Sequence, residues 1–295
     1  MINVILDTDI GCDCDDAGAM AVLHILAARY GISIKAVTSS APLIHSTSLI
    51  DLINRYYCKE ILVGNLAESL SVKYQDIYAE RIVKAFSDKF SLTESFANAV
   101  DVLREALSEC EDNSVILIAI GPQTNLASLL NSKADRFSTF TGLELLERKL
   151  RKTLIMAGRF VDETPECNVL ADITAAQIVS KFWPKEIIYS PHELGADIIS
   201  GNCFHELQRK ENPIVMAYSI HSGDMGRYSW DPVTVLYAFE PDNGFFTQSA
   251  KGQVVISDNG VTSINFNNKE NRHTFLKLSS QKESVEEYIN KLICM

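Results

Sequence analysis

Ten residues near the start of the chain, Asp7-Thr8-Asp9-Ile10-Gly11-Cys12-Asp13-Cys14-Asp15-Asp16, carry five carboxylates directly after the apolar run Ile2, Val4, Ile5, Leu6. The helix-like segment Ala17-Gly18-Ala19-Met20-Ala21-Val22-Leu23 follows at once. This order reads as strand, site and helix, and α/β folds place their ligands at the carboxyl ends of the strands. Carboxylates so close together repel and raise one another's pKa unless a cation neutralises them. Their hard oxygens suit Ca²⁺ or Mg²⁺ rather than zinc. The plainer alternative is a solvated acidic loop with an Asp capping the helix, although such a loop needs no buried strand leading into it.

Downstream, strand-like apolar runs alternate with helical patterns. Strands are expected at Ser33–Thr38, Ile61–Gly64, Val115–Ile120, Thr153–Met156 and Glu186–Tyr189. Helices are expected around 46–57, 124–130 and 173–182, with 74–109 mostly helical and broken near Ser91 and Asn98. Such alternation implies parallel βαβ units around a central sheet. Two further runs, 253–256 and 262–266, flank Asp258-Asn259-Gly260 and read as a C-terminal hairpin. A closing helix is expected near 283–292. With no linker, repeat or low-complexity segment, the reading is one α/β domain over residues 1–295, a mostly parallel sheet flanked by helices.

The 295 residues, 46% hydrophobic, suffice for a large single core. The balance of 27 basic to 38 acidic residues includes no Lys/Arg-rich block, which argues against a nucleic-acid partner. No apolar run approaches the ~18 residues of a membrane span, and the N-terminus lacks a signal-like pattern. A cytoplasmic location is the expectation. The seven cysteines are scattered without a Cys-x-x-Cys pair and are expected to be reduced thiols.

Three further constellations fall where such a fold would place ligands. Gly121-Pro122-Gln123-Thr124-Asn125 follows the strand 115–120 and reads either as a turn whose carbonyls can face a cation or as an ordinary helix cap. Glu166-Cys167-Asn168 precedes the helix at 173 and can grip hydroxyl groups, or be a surface loop. Ser229-Trp230-Asp231-Pro232 opens an apolar helical run and is also a good N-terminal cap.

Taken together, these four motifs resemble, in order and at similar spacing, those of the inosine–uridine-preferring nucleoside hydrolases, with the likeness running from Asp7 to about Ala238. The resemblance implies hydrolysis of the N-glycosidic bond of ribonucleosides, a calcium cofactor, and a dimeric or tetrameric homo-oligomer. Carried over residue by residue, Asp9 is a calcium ligand and the general base for water, and Asp16 and Asp231 are further ligands. Thr124 supplies a main-chain carbonyl. Asp15, Glu166 and Asn168 resemble the ribose-binding groups, Asp7 a brace for the loop, and Met156 either the floor beneath the sugar or a core methionine.

The chain departs from the family pattern in several places. Ile10 replaces a proline, and the acidic loop is two residues longer, leaving Asp13 without a counterpart. Asp13 is a third ligand, a supporting group or a surface charge. Pro42-Leu43 replaces a Gly-Asn that contacts ribose in the family. Trp230 stands where inosine–uridine-preferring members carry a His that helps the base leave. A Trp resembles the purine-specific branch, where the base is held by stacking, so purines are the expected preference. Trp cannot donate from a titrating group, which leaves His221, His45 and Glu193 as candidate acids. Phosphatases of the haloacid dehalogenase type and EF-hands fit the loop poorly. A nucleoside- or ribose-binding protein on the same scaffold, with catalysis lost, is the alternative that stays open.

Overall fold

The first strand is apolar on both faces because it lies in the middle of a sheet covered on both sides. A computed structural model describes residues 2–67, 70, 73–206, 211–223, 225–267 and 272–295. Strand β1 (Asn3–Thr8) is buried throughout and lies between β2 (Ser33–Ser39) and, on its other side, the strand Val115–Ala119, parallel to both. Its side chains alternate between two layers. Val4 and Leu6 enter one apolar cluster and Ile5 the other, as the two-residue period of a strand requires.

From β1 the sheet grows in both directions. β2, β3 (Leu62–Asn65) and β4 (Ala97–Asn98) follow one another outwards on one side. The chain then returns to place β5 (Val115–Ala119), β6 (Leu150–Met156) and β7 (Ile187–Ser190) on the other. The strand order therefore reverses between β1 and β5, and the crevice outside the carboxyl ends of these two strands is where such a sheet binds ligands.

Among the described residues the main sheet has nine strands, three more than sequence patterning anticipates: the two-residue β4 and two beyond β7. Thr274–Leu278 runs parallel to β7, and Phe246–Gln248 pairs antiparallel with Thr274–Leu278 to form the edge. Both are short and half exposed, so neither carries the continuous apolar signature of β1 or β5. The expected hairpin is present, Gln253–Ile256 against Thr262–Asn265, with Gly260 at φ +82° in its turn. It is clamped to the helix Ile173–Phe182 by Gln253 Nε2, which donates to the Ser180 carbonyl at 2.7 Å.

Helix α1 (Asp15–Tyr30) is buried from Asp15 to His24 and packs on the helix Trp230–Phe239. That pairing joins residues more than 200 positions apart at the crevice. The stretch 74–109 is less helical than expected. It resolves into Ala79–Phe86 and Ala99–Ser108, the second capped by the Asn98 side chain, which accepts from Val100 N at 2.7 Å. The cysteine expectation needs one correction. Cys203 and Cys294 form a disulfide, brought together by the C-terminal helix Lys282–Ile293 across 91 residues of sequence, a proximity that spacing alone does not reveal. Among the described residues no helix is long and apolar enough to cross a membrane.

Candidate active site

Asp7 is fully buried at the end of β1. It accepts hydrogen bonds from the Thr38 hydroxyl on β2 and from Asn125 Nδ2 at 2.8 Å. Asn125 also donates to the Ser39 carbonyl at 2.9 Å, so one carboxylate ties β1, β2 and the turn after β5 together. Burial pushes the Asp7 carboxyl up to about 7, against the hydrogen bonds that lower it. Asp7 is thus a brace beneath the crevice.

Above it the turn after β5 presses on Asp9. A Cβ at Gly121 would lie 2.9 Å from Asp9 Oδ1, so a residue without a side chain is needed for this approach. Asp9 Oδ2 accepts a hydrogen bond from the Tyr74 hydroxyl at 3.0 Å. Burial, and then the Asp13 charge, push Asp9 up to about 7.

Asp15 and Asp16 occupy the first turn of α1, where free N–H groups and the helix dipole favour negative charge. Asp231 occupies the first turn of Trp230–Phe239, and its N–H donates to Asp15 Oδ2 at 3.1 Å. Oxygens of Asp15, Asp16 and Asp231 lie within 4.8 Å of one another, all three side chains buried. Burial first, then a neighbouring carboxylate (Asp13 for Asp15, Asp9 for Asp16, Asp15 for Asp231), hold all three well above the ordinary carboxylate range. Three buried acids converging in this way are costly to ionise without a counter-charge. The oxygen-only donor set fits a hard divalent cation.

Asp13 stands apart from that cluster. Arg227 Nε lies 3.0 Å from both of its oxygens and Nη2 2.6 Å from Oδ2. His221 Nε2 is 3.6 Å from Asp13 Oδ1. The Arg227 guanidinium in turn lies 5.0 Å from the centroid of the Trp230 ring. Asp13 therefore holds an arginine against the tryptophan.

A cavity of about 310 Å³ opens over these groups. Its polar floor includes Asp9, Asp15, Asp16 and Asp231. Its walls include Met156, Glu166, Asn168, Tyr74, His192, Arg227 and Trp230. Glu166 caps the short helix Cys167–Ala171, accepting from Asn168 N at 2.7 Å and Val169 N at 3.1 Å, and burial pushes it up to about 7. Asn168 Nδ2 donates to the Met156 carbonyl at 3.1 Å, which locks its amide orientation.

Residues 4–286 match the family model described as inosine-uridine preferring nucleoside hydrolase. The chain belongs to that family. A pyrimidine-specific ribonucleoside hydrolase of Enterobacter sp. (strain 638) is 32% identical over 184 residues, 57% of this chain and 54% of that relative. The match thus spans about half the length of that curated relative. The inosine-uridine preferring nucleoside hydrolase from Bacillus anthracis has the same fold, with a TM-score of 0.76 at 17% identity over 99% of both chains. The purine-preferring ribonucleoside hydrolase from Gardnerella vaginalis superposes with a TM-score of 0.72 at 14% identity, covering 99% of this chain and 98% of that one.

Within this nucleoside hydrolase scaffold, not every residue singled out from sequence meets the cavity. The Thr124 hydroxyl turns away and donates to Asp172 Oδ2 at 2.7 Å, so only its main chain is left for a site role. Glu193 accepts from Phe160 N at 3.0 Å and lies outside the lining. His221 faces Asp13, and His45 pairs with Asp76 at 3.3 Å. Sequence reasoning missed Tyr74, His192 and Arg227. Only His192 had a usable signal, since it follows β7 at the carboxyl end of the sheet, beside the Glu193 that was considered.

Proposed function

We propose that the protein hydrolyses ribonucleosides to ribose and free base, with Asp9 as general base. The observation that carries this reading is the buried Asp15–Asp16–Asp231 convergence beside Asp9, on the floor of one cavity at the switch point of the sheet. Cleavage of an N-glycosidic bond builds positive charge near C1′ of the sugar, and a carboxylate-rich floor stabilises it. Asp9 takes a proton as water attacks C1′, the bond to the base breaks, and its electron pair leaves with the base. Asp15, Glu166 and Asn168 fix the ribose hydroxyls, and Met156 lies beneath the sugar.

The cofactor in this reading is Ca²⁺, held by Asp9, Asp16, Asp231 and the Thr124 main-chain carbonyl, with Asp15 close enough to join them. When bound, it supplies a Lewis acid that orients hydroxyl groups and acidifies water. Asp9, raised to about 7 by burial, would be drawn back down by a cation beside it and so be ionised as the base at neutral pH. Trp230 supports a purine preference, because a large aromatic wall favours the larger heterocycle.

The test is ribose release from inosine, adenosine, guanosine, uridine and cytidine, with calcium and with a chelator. Calcium-dependent release, abolished in Asp9→Ala, is the expected result. Absence of release from every nucleoside, with calcium still bound, would overturn hydrolysis and favour a binding protein. Release that favours uridine would overturn the purine preference alone.

A further inference from the structure

Trp230 leaves a departing base without a polar partner. Its indole N–H donates to the His192 carbonyl at 2.9 Å, so only the ring itself faces a ligand. Most other polar groups around the cavity are already engaged. Arg227 is held by Asp13, the Tyr74 hydroxyl by Asp9, and the Asn168 amide by the Met156 carbonyl. Lys73 lines the cavity from an exposed position, where its ammonium is solvated.

His192 differs from all of these. Its ring centroid lies 5.4 Å from that of Trp230, the two planes tilted by 35°, and it lines the same cavity. Its Nδ1 is buried without a hydrogen-bond partner. Nδ1 is therefore closed to a ligand, and Nε2 is the ring nitrogen left to meet one in the cavity. Burial, and then the Arg159 charge, hold the imidazole below its ordinary range, so it is neutral at pH 7. A neutral imidazole offers one donor and one acceptor.

We propose that His192 is the nucleobase contact of this site, hydrogen-bonding an oxo group or ring nitrogen of the heterocycle while Trp230 packs on its ring. The inference rests on the hydrolase reading for its substrate class, and it makes His192 specificity-determining without assigning it a proton transfer. A base that leaves with extra electron density accepts a stronger hydrogen bond than the intact nucleoside, so the contact also favours departure. Substitution keeps the Trp230 indole hydrogen bond, because its acceptor is the His192 main chain.

Two measurements on the calcium-loaded protein test this. In the first, kcat/KM is compared for inosine and for 4-nitrophenyl β-D-ribofuranoside, whose leaving group needs no such bond. His192→Ala is expected to lower inosine turnover about tenfold, the worth of one hydrogen bond, and to spare the nitrophenyl riboside. His192→Gln, which keeps a donor and an acceptor, is expected to recover part of the loss. Equal losses on both substrates, or none on inosine, would overturn the contact. In the second, hypoxanthine binding is followed by tryptophan fluorescence, which reads the base contact without any reaction. Weaker binding to His192→Ala supports the contact, and unchanged binding overturns it. A wild-type protein that hydrolyses neither substrate would overturn the hydrolase reading instead.

Discussion

Asp13 and Asp15 are two positions apart, yet their surroundings assign them opposite tasks. Asp15 is buried among acids, whereas Asp13 is half-exposed and clamped by a guanidinium. Asp13→Ala is therefore expected to leave calcium affinity within about threefold of wild type, a shift typical of a substitution outside a site. Asp16→Ala and Asp231→Ala are expected to lose calcium binding in a calorimetric titration. Loss of binding in Asp13→Ala would return Asp13 to the ligand set. Asp9, Asp15 and Asp16 were legible because they lie close together in sequence, whereas Asp231 was reached only through the resemblance of its motif. The partner of Asp13 lies 214 positions away and was not legible.

The same carboxyls make folding pH-dependent. Asp7 and Glu166, pushed up to about 7 by burial, hold protons in the folded chain that the unfolded chain has already lost near pH 4. Their stabilising contribution is present below the unfolded values and is lost as pH rises through 7. His24, pushed down to about 4 by burial, opposes this only on the acid side, as pH falls below its ordinary 6.5. With a chelator present, the melting temperature is expected to fall as pH rises from about 5 to about 7 and to level off above that. A flat profile without metal would contradict the buried acids.

At the scale of elements, Trp230 is set by the close approach of two backbones. A Cβ at Gly195 would lie 2.7 Å from Trp230 Cδ1 and from Trp230 N, and Ser229 N donates to the Gly195 carbonyl at 3.2 Å. Gly195→Ala is expected to cost about 1–3 kcal/mol of stability in urea unfolding, as overpacking does. It is also expected to raise KM for nucleosides by displacing the tryptophan. A second element-scale case is the helix Gly142–Lys149, capped reciprocally by Thr141 and Glu144. Thr141→Ala is expected to cost about 1 kcal/mol, read as a shift in the unfolding midpoint.

That helix was legible in principle, since Thr-x-x-Glu is a capping signature, but sequence patterning passed over it. The central strands were readable because burial on both faces gives them unbroken apolar runs, Val4–Leu6 in β1 and Val115–Ala119 in β5. The strand Phe246–Gln248 was not, because three residues at an edge carry too little pattern.

For the whole molecule, a formal charge of −11 and a carboxylate-rich cavity set what can approach. Uncharged nucleosides feel little of this field, whereas a 5′-phosphate is repelled. Hydrolysis of inosine is expected to vary little between 50 and 300 mM salt, and inosine 5′-monophosphate to be a poor substrate whose use rises with salt as screening grows. Equal use of both at low salt would show that local cations outweigh the field.

The sheet ends in strands of two residues at Ala97–Asn98 and three at Phe246–Gln248. Borders this short offer a neighbouring chain almost no unpaired backbone to continue along. Copies of this protein that associate must then meet through helices and loops, and the assembly is protected from the ribbon-like growth that long open borders invite.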